Sequence, residues 1–146
     1  MDDLIAFLAA RLDEDEQTAR LASEVYGKSW WWNPSWGLVK GMPDNDGEAT
    51  SIFSIGEETV AEVWSEVGPH IARHDPDRVL RDINAKRAII DEHPATTGRD
   101  GTRPVRPTCP TCSQSVQEGD PYPCRMLRLL LLPYADHPDY RQEWKP

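Results

Sequence analysis

Apolar residues recur at helical spacing over the first 26 positions of the chain. Positions three, four or seven apart lie on one face of an α-helix, and the apolar series is Leu4, Ile5, Leu8, Leu12, Ala19, Ala22 and Tyr26. No glycine or proline intervenes before Gly27, so the pattern predicts one amphipathic helix over residues 2–26. The acidic run 13–16 is typical of a solvated helix face, and it would also suit a basic partner.

Residues 28–68 lack the helical spacing of the first segment and show features typical of short strands and turns. Four tryptophans (Trp30, Trp31, Trp32 and Trp36) precede a stretch rich in Gly, Pro and Asp at 41–47. Residues 51–55, a turn at 56–58 and alternating side chains over 59–67 predict a short antiparallel meander of two or three strands. A helix over 57–67 is the alternative, because alanine and glutamate favour helices.

The second half of the chain predicts further helices. Asp75-Pro76 is typical of a helix start, with Asp as the N-cap and Pro at the first helical position. The apolar face of this middle helix would end near His93-Pro94, and residues 70–73 would form a short preceding turn of helix. A loop over 95–108 follows. A final helix is predicted from Pro123 or Cys124 to Leu132, where Pro133 stops it, and the tail 134–146 should be a packed turn or short helix.

Together these elements predict a single α+β domain over residues 1–146. It would consist of an N-terminal helix (1–27), a Trp-rich region with a small antiparallel sheet (28–68) and a helical half (69–146). Only 38% of the residues are hydrophobic, and 13 prolines and 9 glycines interrupt the chain. The core should therefore be small for the length, and a metal crosslink would add stability that apolar burial does not supply.

The three cysteines have the spacing of an incomplete metal site. Cys109 and Cys112 form a C-x2-C pair, and Cys124 follows after eleven residues. Structural zinc sites take four Cys or His ligands in a closed tetrahedron. Of the four histidines, His93 is the best fourth ligand, because it ends the middle helix directly before the loop that leads to the cysteines. The sequence thus predicts a structural Zn²⁺ ion that staples the C-terminal half.

Two other interpretations of the cysteines stay open. They could be ordinary thiols, or Cys109 and Cys112 could be a redox pair. A thioredoxin-like C-x-x-C follows a strand and opens a helix, and no strand is predicted before Cys109.

Charge and targeting signals narrow the class of protein. The net charge is −9, and it divides into −10 over residues 1–66 and +1 over residues 67–146. An acidic chain is poorly suited to non-specific nucleic-acid binding, which depends on neutralising phosphates. The N-terminus carries Asp2 and Asp3 rather than a basic signal-peptide region, and the longest apolar run, Leu129 to Leu132, is too short to span a membrane. We therefore expect a cytosolic protein, where closely spaced cysteines are more often metal ligands than disulfides.

Several other residues could carry chemistry, although each has an ordinary structural role. His70 and His74 lie four apart next to Asp75, which suits a metal-dependent enzyme, but packing and capping are the more common roles of such residues. Asp136-His137 is typical of a turn before Pro138. The tryptophans would fill the apolar face of the sheet, or form a platform for a partner or for stacked bases.

Basic residues are concentrated on the middle and last helices. They are Arg73, Arg78, Arg81, Lys86, Arg87, Arg125 and Arg128. With an exposed tryptophan they would suit a nucleic-acid-binding protein, whereas intramolecular pairing with the acidic first helix is the simpler interpretation. No phosphate loop, nucleophile elbow or dinucleotide-binding fingerprint occurs.

Three segments resemble a known family. They are MDDLIAFLAARLDEDEQTA at the start, HIARHDPDRVL at 70–80 and LLLLPYADHPDYRQEW at 129–144. They resemble an uncharacterised family of actinomycetes and their phages, catalogued as a domain of unknown function. The resemblance implies a histidine after the middle helix and cysteines before the last helix, which His93 and Cys124 match. It implies no catalytic residue.

The function predicted from the sequence is that of a small zinc-stabilised cytosolic protein. An interaction or accessory role with a protein partner, in phage–host biology by the resemblance, is favoured over an enzyme. The alternatives are a nucleic-acid-binding protein that uses the basic middle helix and the tryptophans, and a metal-dependent enzyme that uses His70, His74 and Asp75. The sequence specifies neither the partner nor the oligomeric state.

Overall fold

The fold consists of α-helices joined by short antiparallel strands. A computed structural model describes residues 2–35, 38–42, 50–51, 64–97, 99–100, 103–104, 106–112 and 121–146. The helices are α1 (Asp2–Tyr26), α2 (Trp64–Arg73), α3 (Pro76–Glu92) and α4 (Arg125–Leu129), with 3-10 turns at Leu132–Tyr134 and Gln142–Trp144. The strands are β1 (Ser29–Asn33), β2 (Leu38–Met42), β3 (Thr50–Ser51), β4 (Arg99–Asp100) and β5 (Arg103–Pro104).

The chain forms two compact units. Unit 1 contains Met1–Asp13 and Asn84–Pro146, and unit 2 contains Glu14–Ile83. The predicted α+β class is confirmed at this level, since helices and antiparallel strand pairs both occur.

Helix α1 ends at Tyr26, within unit 2. Gly27 has a φ of 79°, a left-handed conformation that glycine adopts without strain, and the turn leads directly into β1. Strands β1, β2 and β3 pair antiparallel in that order, with Asn33 opposite Leu38 and Lys40 opposite Ser51.

Helix α2 packs closely against the first strand. Gly68 lies so near the Trp32 indole that a Cβ at position 68 would overlap the ring. Helix α3 then begins at Pro76, and the Arg78 amide donates a hydrogen bond to Asp75 Oδ1 at 2.8 Å. Asp75 is therefore the N-cap that the sequence predicts.

Unit 1 contains two sets of packed side chains. One is aromatic: Phe7 contacts His137, Tyr140 and Trp144, with ring centroids 5.1–6.4 Å apart. The other includes Cys109, Cys124 and Leu127, which are fully buried. Leu8, Leu12 and Leu131 are also fully buried, so the small core predicted from composition is supplied chiefly by leucines of α1 and of the C-terminal segment.

Two of the predicted helices are confirmed, and two predictions need correction. The helices over 2–26 and from Pro76 to the residue before His93 are present. The predicted strand over 59–67 is wrong at 64–67, where α2 begins, and the alternative of a helix over 57–67 is confirmed at these four positions. Positions 52–63 lie outside the described residues. The final helix ends at Leu129 rather than Leu132, because the chain tightens into i→i−3 hydrogen bonds: the Leu131 amide bonds to the Arg128 carbonyl and the Tyr134 amide to the Leu131 carbonyl.

The C-terminal tail folds as predicted, with a short 3-10 turn that buries Trp144. The segment predicted as a loop at 95–108 contains the two-residue strands β4 and β5. Within the described residues, no helix is long and apolar enough to cross a membrane.

Candidate metal centre

The four side chains predicted as ligands come from three separate places in unit 1. His93 directly follows α3, and its backbone amide donates to the Ile90 carbonyl at 3.1 Å. Cys109 and Cys112 lie in the connection between β5 and α4, and Cys124 is the residue that precedes α4. The turn at Pro110–Cys112 gives the C-x2-C pair its compact shape.

Backbone hydrogen bonds bring these places together. Thr96 and Thr108 exchange two of them, at 2.8 and 3.1 Å, and the Tyr122 amide donates to the Pro107 carbonyl at 2.9 Å. Thr108 also forms an isolated bridge with Pro121. Because Thr108 adjoins Cys109 and Tyr122 lies two residues before Cys124, these bonds set the two cysteines side by side.

The ligand atoms converge on one point. The distance from His93 Nδ1 is 3.4 Å to Cys109 Sγ, 3.3 Å to Cys112 Sγ and 3.6 Å to Cys124 Sγ. All four atoms lie within 4.8 Å of one another. The structure therefore brings together the whole set that the sequence predicts, and this group could hold a metal ion.

The nitrogen–sulfur distances fit a tetrahedral ion. Zinc lies ~2.1 Å from a histidine nitrogen and ~2.3 Å from a thiolate sulfur, which in a tetrahedron places these two atoms about 3.6 Å apart. The three distances in the structure, 3.3–3.6 Å, fall at or slightly below this value. The geometry is therefore compatible with one four-coordinate ion at the centre of the group.

Two of the cysteines pack against buried apolar side chains, which we call the apolar floor of the centre. Cys109 and Cys124 are fully buried, whereas Cys112 is exposed. Leu127 belongs to the same buried cluster, and the partly buried side chains packed against it are Ile5, Ile90, Tyr122 and Leu130. The ligands are thus fixed from one side by the core of unit 1, and the C-x2-C turn closes the other side.

The sulfurs affect one another's protonation. Partial desolvation, together with the neighbouring sulfurs of Cys124 and Cys109, raises the pKa of the Cys112 thiol to about 12. Three thiolates would therefore not gather here by themselves, since each anion disfavours the next. A divalent cation among them reverses this balance, because a coordinating thiol is deprotonated outright.

Thr111 has a role that the sequence argument did not identify. Its hydroxyl donates a hydrogen bond to the carbonyl of Glu92, the last residue of α3. This bond ties the C-x2-C turn to the helix end that carries His93. The available signal was a hydroxyl residue inside the C-x2-C turn, since threonine side chains commonly bond to nearby backbone groups.

The other histidine group does not assemble a comparable site. The His70 and His74 rings lie 4.3 Å apart, and His74 Nδ1 contacts the His70 carbonyl at 2.9 Å. Asp75 is occupied in capping α3. Within the described ranges, the set of His93 and the three cysteines is the one group of three or more potential ligands that converges.

His137 also has a structural role, because it bonds to Arg11 and packs against Phe7. Two arginines of the basic middle helix have carboxylate partners. Arg81 pairs with Asp77, and Arg87 pairs with Asp13 at 2.6 Å, so pairing with the acidic first helix is confirmed for Arg87.

The first three tryptophans are neither fully buried nor fully exposed. Trp30, Trp31 and Trp32 are half-buried, and the Trp30 indole N–H donates to the Gly27 carbonyl at 3.0 Å. Trp36 lies outside the described residues.

Comparison with known proteins gives one match. The model of a family described as "Family of unknown function (DUF6221)" matches residues 1–146. Neither the curated proteins nor the solved structures contain a match to the chain.

Proposed function

We propose that this chain, which belongs to the family of unknown function DUF6221, binds one structural zinc ion through His93, Cys109, Cys112 and Cys124. The ion holds unit 1 in a conformation that serves an interaction or accessory role. The observation that carries the proposal is the convergence of one ring nitrogen and three sulfurs within 4.8 Å.

Zinc is the metal that best suits this donor set. Thiolate and imidazole ligands in a tetrahedral arrangement favour zinc, whereas magnesium and calcium require oxygen ligands. A reducing cytosol, the compartment expected from the lack of a signal-peptide pattern and of a membrane span in the sequence, would keep the three thiols available for the ion.

The donor set supports a structural ion rather than a catalytic one. Catalytic zinc sites use three protein ligands and keep the fourth position for water or substrate, while structural sites are closed by four. Here four potential protein ligands converge, and two of the sulfurs are fully buried. The ion would therefore crosslink the end of α3, the C-x2-C turn and the start of α4.

This crosslink gives a reason for the composition of the C-terminal half. Residues 94–123 contain many prolines and glycines, and a connection of that length without an anchor is uncommon in a compact domain. A site closed by four protein ligands leaves no open metal position for catalysis, which favours an interaction role over a catalytic one. The association with phages, which the resemblance implies, stays a prediction.

Metal content is the first test. The protein, purified without chelators, should contain one equivalent of zinc by elemental analysis. Exchange with Co²⁺ should give the ligand-field bands of a tetrahedral site and a thiolate-to-cobalt charge-transfer band. Less than about half an equivalent of zinc would count against the proposal.

Variants of the ligands are the second test. Cys124→Ser and His93→Ala should each lose zinc and lower the Tm by about 10 °C, since each kilocalorie lost shifts the Tm of a chain of this size by several degrees. His74→Ala is the matched control, because His74 is exposed and lies outside the converging group. Equal zinc content and an equal Tm in His93→Ala and His74→Ala would refute the role of His93.

A further inference from the structure

Helix α4 and the turn after it expose apolar side chains. Met126, Leu129 and Leu132 are 41%, 38% and 46% exposed, and their spacing of three residues places them along one side of the segment. We call these three residues the α4 patch. Leu127 and Leu131 of the same segment are fully buried. These two leucines pack into the core, whereas the α4 patch is exposed to solvent.

Two arginines border this patch. Arg125 and Arg128 line a surface depression of about 160 Å³ together with Pro121, Pro123 and Pro146; we call it the arginine depression. The Arg128 Nε–H donates to the Pro123 carbonyl at 3.0 Å. That bond holds the guanidinium in place, and its two terminal nitrogens have no hydrogen-bond partner among the described residues.

These two arginines differ from others in the protein. Arg20, Arg81, Arg87 and Arg141 each form an ion pair with an aspartate or glutamate. Within the part of the chain that the structure describes, neither Arg125 nor Arg128 pairs with a carboxylate. Residues 121–134 contain these two cations and no acidic residue, although the whole chain has a net charge of −9.

We propose that the α4 patch and the arginine depression form one docking site for a short protein segment that carries acidic and apolar residues side by side. A carboxylate of the partner would enter the arginine depression and accept hydrogen bonds from the guanidinium groups of Arg125 and Arg128. A neighbouring leucine or aromatic side chain would cover Met126, Leu129 and Leu132. This proposal rests on the interaction role proposed above and specifies the surface and the chemistry of the partner.

Charge selects a peptide segment over a membrane or a nucleic acid. An anionic bilayer or a polynucleotide presents negative charge over an area wider than the depression. It would therefore also be repelled by the rest of the chain, which has a net charge of −9. A single carboxylate is small enough to occupy about 160 Å³ and to lie within one Debye length, roughly 8 Å, of the two arginines.

The metal centre supplies the rigidity that such a site requires. Cys124 immediately precedes α4, and Leu127 joins it in the same buried cluster. A helix of only five residues is too short to be stable by itself. Anchoring its start to an ion would fix the patch before binding and reduce the entropic cost of association.

The experiment selects ligands from a yeast-displayed library of random peptides, using the full-length zinc-loaded protein. Enriched peptides should combine Asp or Glu with Leu, Phe or Trp. A synthetic copy should bind Arg125→Glu and Leu129→Ser about tenfold or more weakly than wild type. Arg20→Glu and Leu21→Ser are the matched controls, since Arg20 is already paired and Leu21 is exposed on α1; both should bind as wild type does.

The outcomes separate the two proposals. An absence of enriched acidic peptides, or equal weakening of binding by both pairs of variants, would overturn the docking site. The metal proposal would still stand in that case if all variants contained one equivalent of zinc. Binding of the patch variants should also be measured on phosphatidylcholine–phosphatidylserine vesicles. Vesicle binding that depends on Arg125 and Leu129 would overturn the peptide assignment in favour of a lipid surface. A wild-type protein free of zinc would instead refute the metal centre.

Discussion

Asp75 connects two backbone segments of unit 2 through one carboxylate. Its Oδ1 accepts the hydrogen bond from the Arg78 amide at 2.8 Å, and its Oδ2 lies 3.4 Å from the Trp30 amide. The second distance is beyond the usual range for N–H···O bonds, so the cap of α3 is the stronger of the two contacts. The effect of removing the carboxylate should therefore be close to that of an N-cap alone.

Asp75→Ala should lower the free energy of unfolding by about 1 kcal/mol, the usual cost of losing an N-cap. Urea unfolding followed by circular dichroism measures this change. Asp75→Asn is the matched control, because asparagine caps helices as well as aspartate does. A loss as large in Asp75→Asn as in Asp75→Ala would mean that the charge, and not the cap, stabilises this position.

Gly68 is a position where packing and helix propensity oppose each other. Alanine is better than glycine inside a helix by about 1 kcal/mol, but a Cβ at position 68 would overlap the Trp32 indole. Overpacking of a rigid ring costs about 1–3 kcal/mol, so Gly68→Ala should destabilise the protein by roughly 1 kcal/mol in thermal unfolding.

A double-mutant cycle tests the cause of that loss. In a Trp32→Ala background the ring is absent, so Gly68→Ala should become neutral or stabilising. A stabilising Gly68→Ala in the wild-type background would show that the helix and the strand separate at little cost.

At the scale of elements, α4 has one buried and one exposed face within a single turn. Leu127 is 0% exposed and belongs to the cluster of the metal centre, whereas Leu129 is 38% exposed. Leu127→Ala should therefore cost about 2–5 kcal/mol, because it removes buried methyl groups and leaves a cavity. Leu129→Ala should cost less than about 1 kcal/mol. Similar losses in the two variants, measured by chemical denaturation, would contradict the orientation of α4.

The helices differ in how far the sequence predicts them, and the cause is physical. Helix α1 has its own apolar periodicity, and α3 has a local start signal in Asp75-Pro76. Helix α2 has no such signal at Trp64, and its contact with β1 depends on Gly68 meeting a tryptophan 36 positions earlier in the chain. A pattern confined to a short window contains no information on that contact.

The convergence of the four potential metal ligands was predictable for a different reason. Zinc ligation constrains residue type and spacing, so Cys109, Cys112 and Cys124 stand out in the sequence, and His93 follows from its place at the end of α3. The exchange of hydrogen bonds between Thr96 and Thr108 was not predictable, because backbone pairing leaves little signal in two isolated threonines. The exposed α4 patch was also missed, since a run of leucines before a proline is equally typical of a buried helix.

At the scale of the whole molecule, the proposed ion acts on unit 1. All four ligands and the apolar floor beneath them belong to unit 1, whereas Asp75, Gly68 and Trp32 belong to unit 2. Local stability in a protein follows the contacts of each region, so regions can open with different free energies. Removal of zinc should therefore have an uneven effect along the chain.

Chelation should increase hydrogen exchange first at residues 106–112 and 121–131. These segments carry the three cysteines and α4, and the ion would add a crosslink to the backbone bonds and the small buried cluster that hold them among the described residues. Exchange measured by mass spectrometry, with and without a strong chelator, should show little change over residues 64–83. In His93→Ala the two segments should already exchange rapidly, and the chelator should cause no further increase.

Two outcomes would contradict this prediction. Uniform acceleration of exchange over the whole chain would mean that the ion supports both units together. Unchanged exchange everywhere would mean that apolar packing alone holds the cysteines in place.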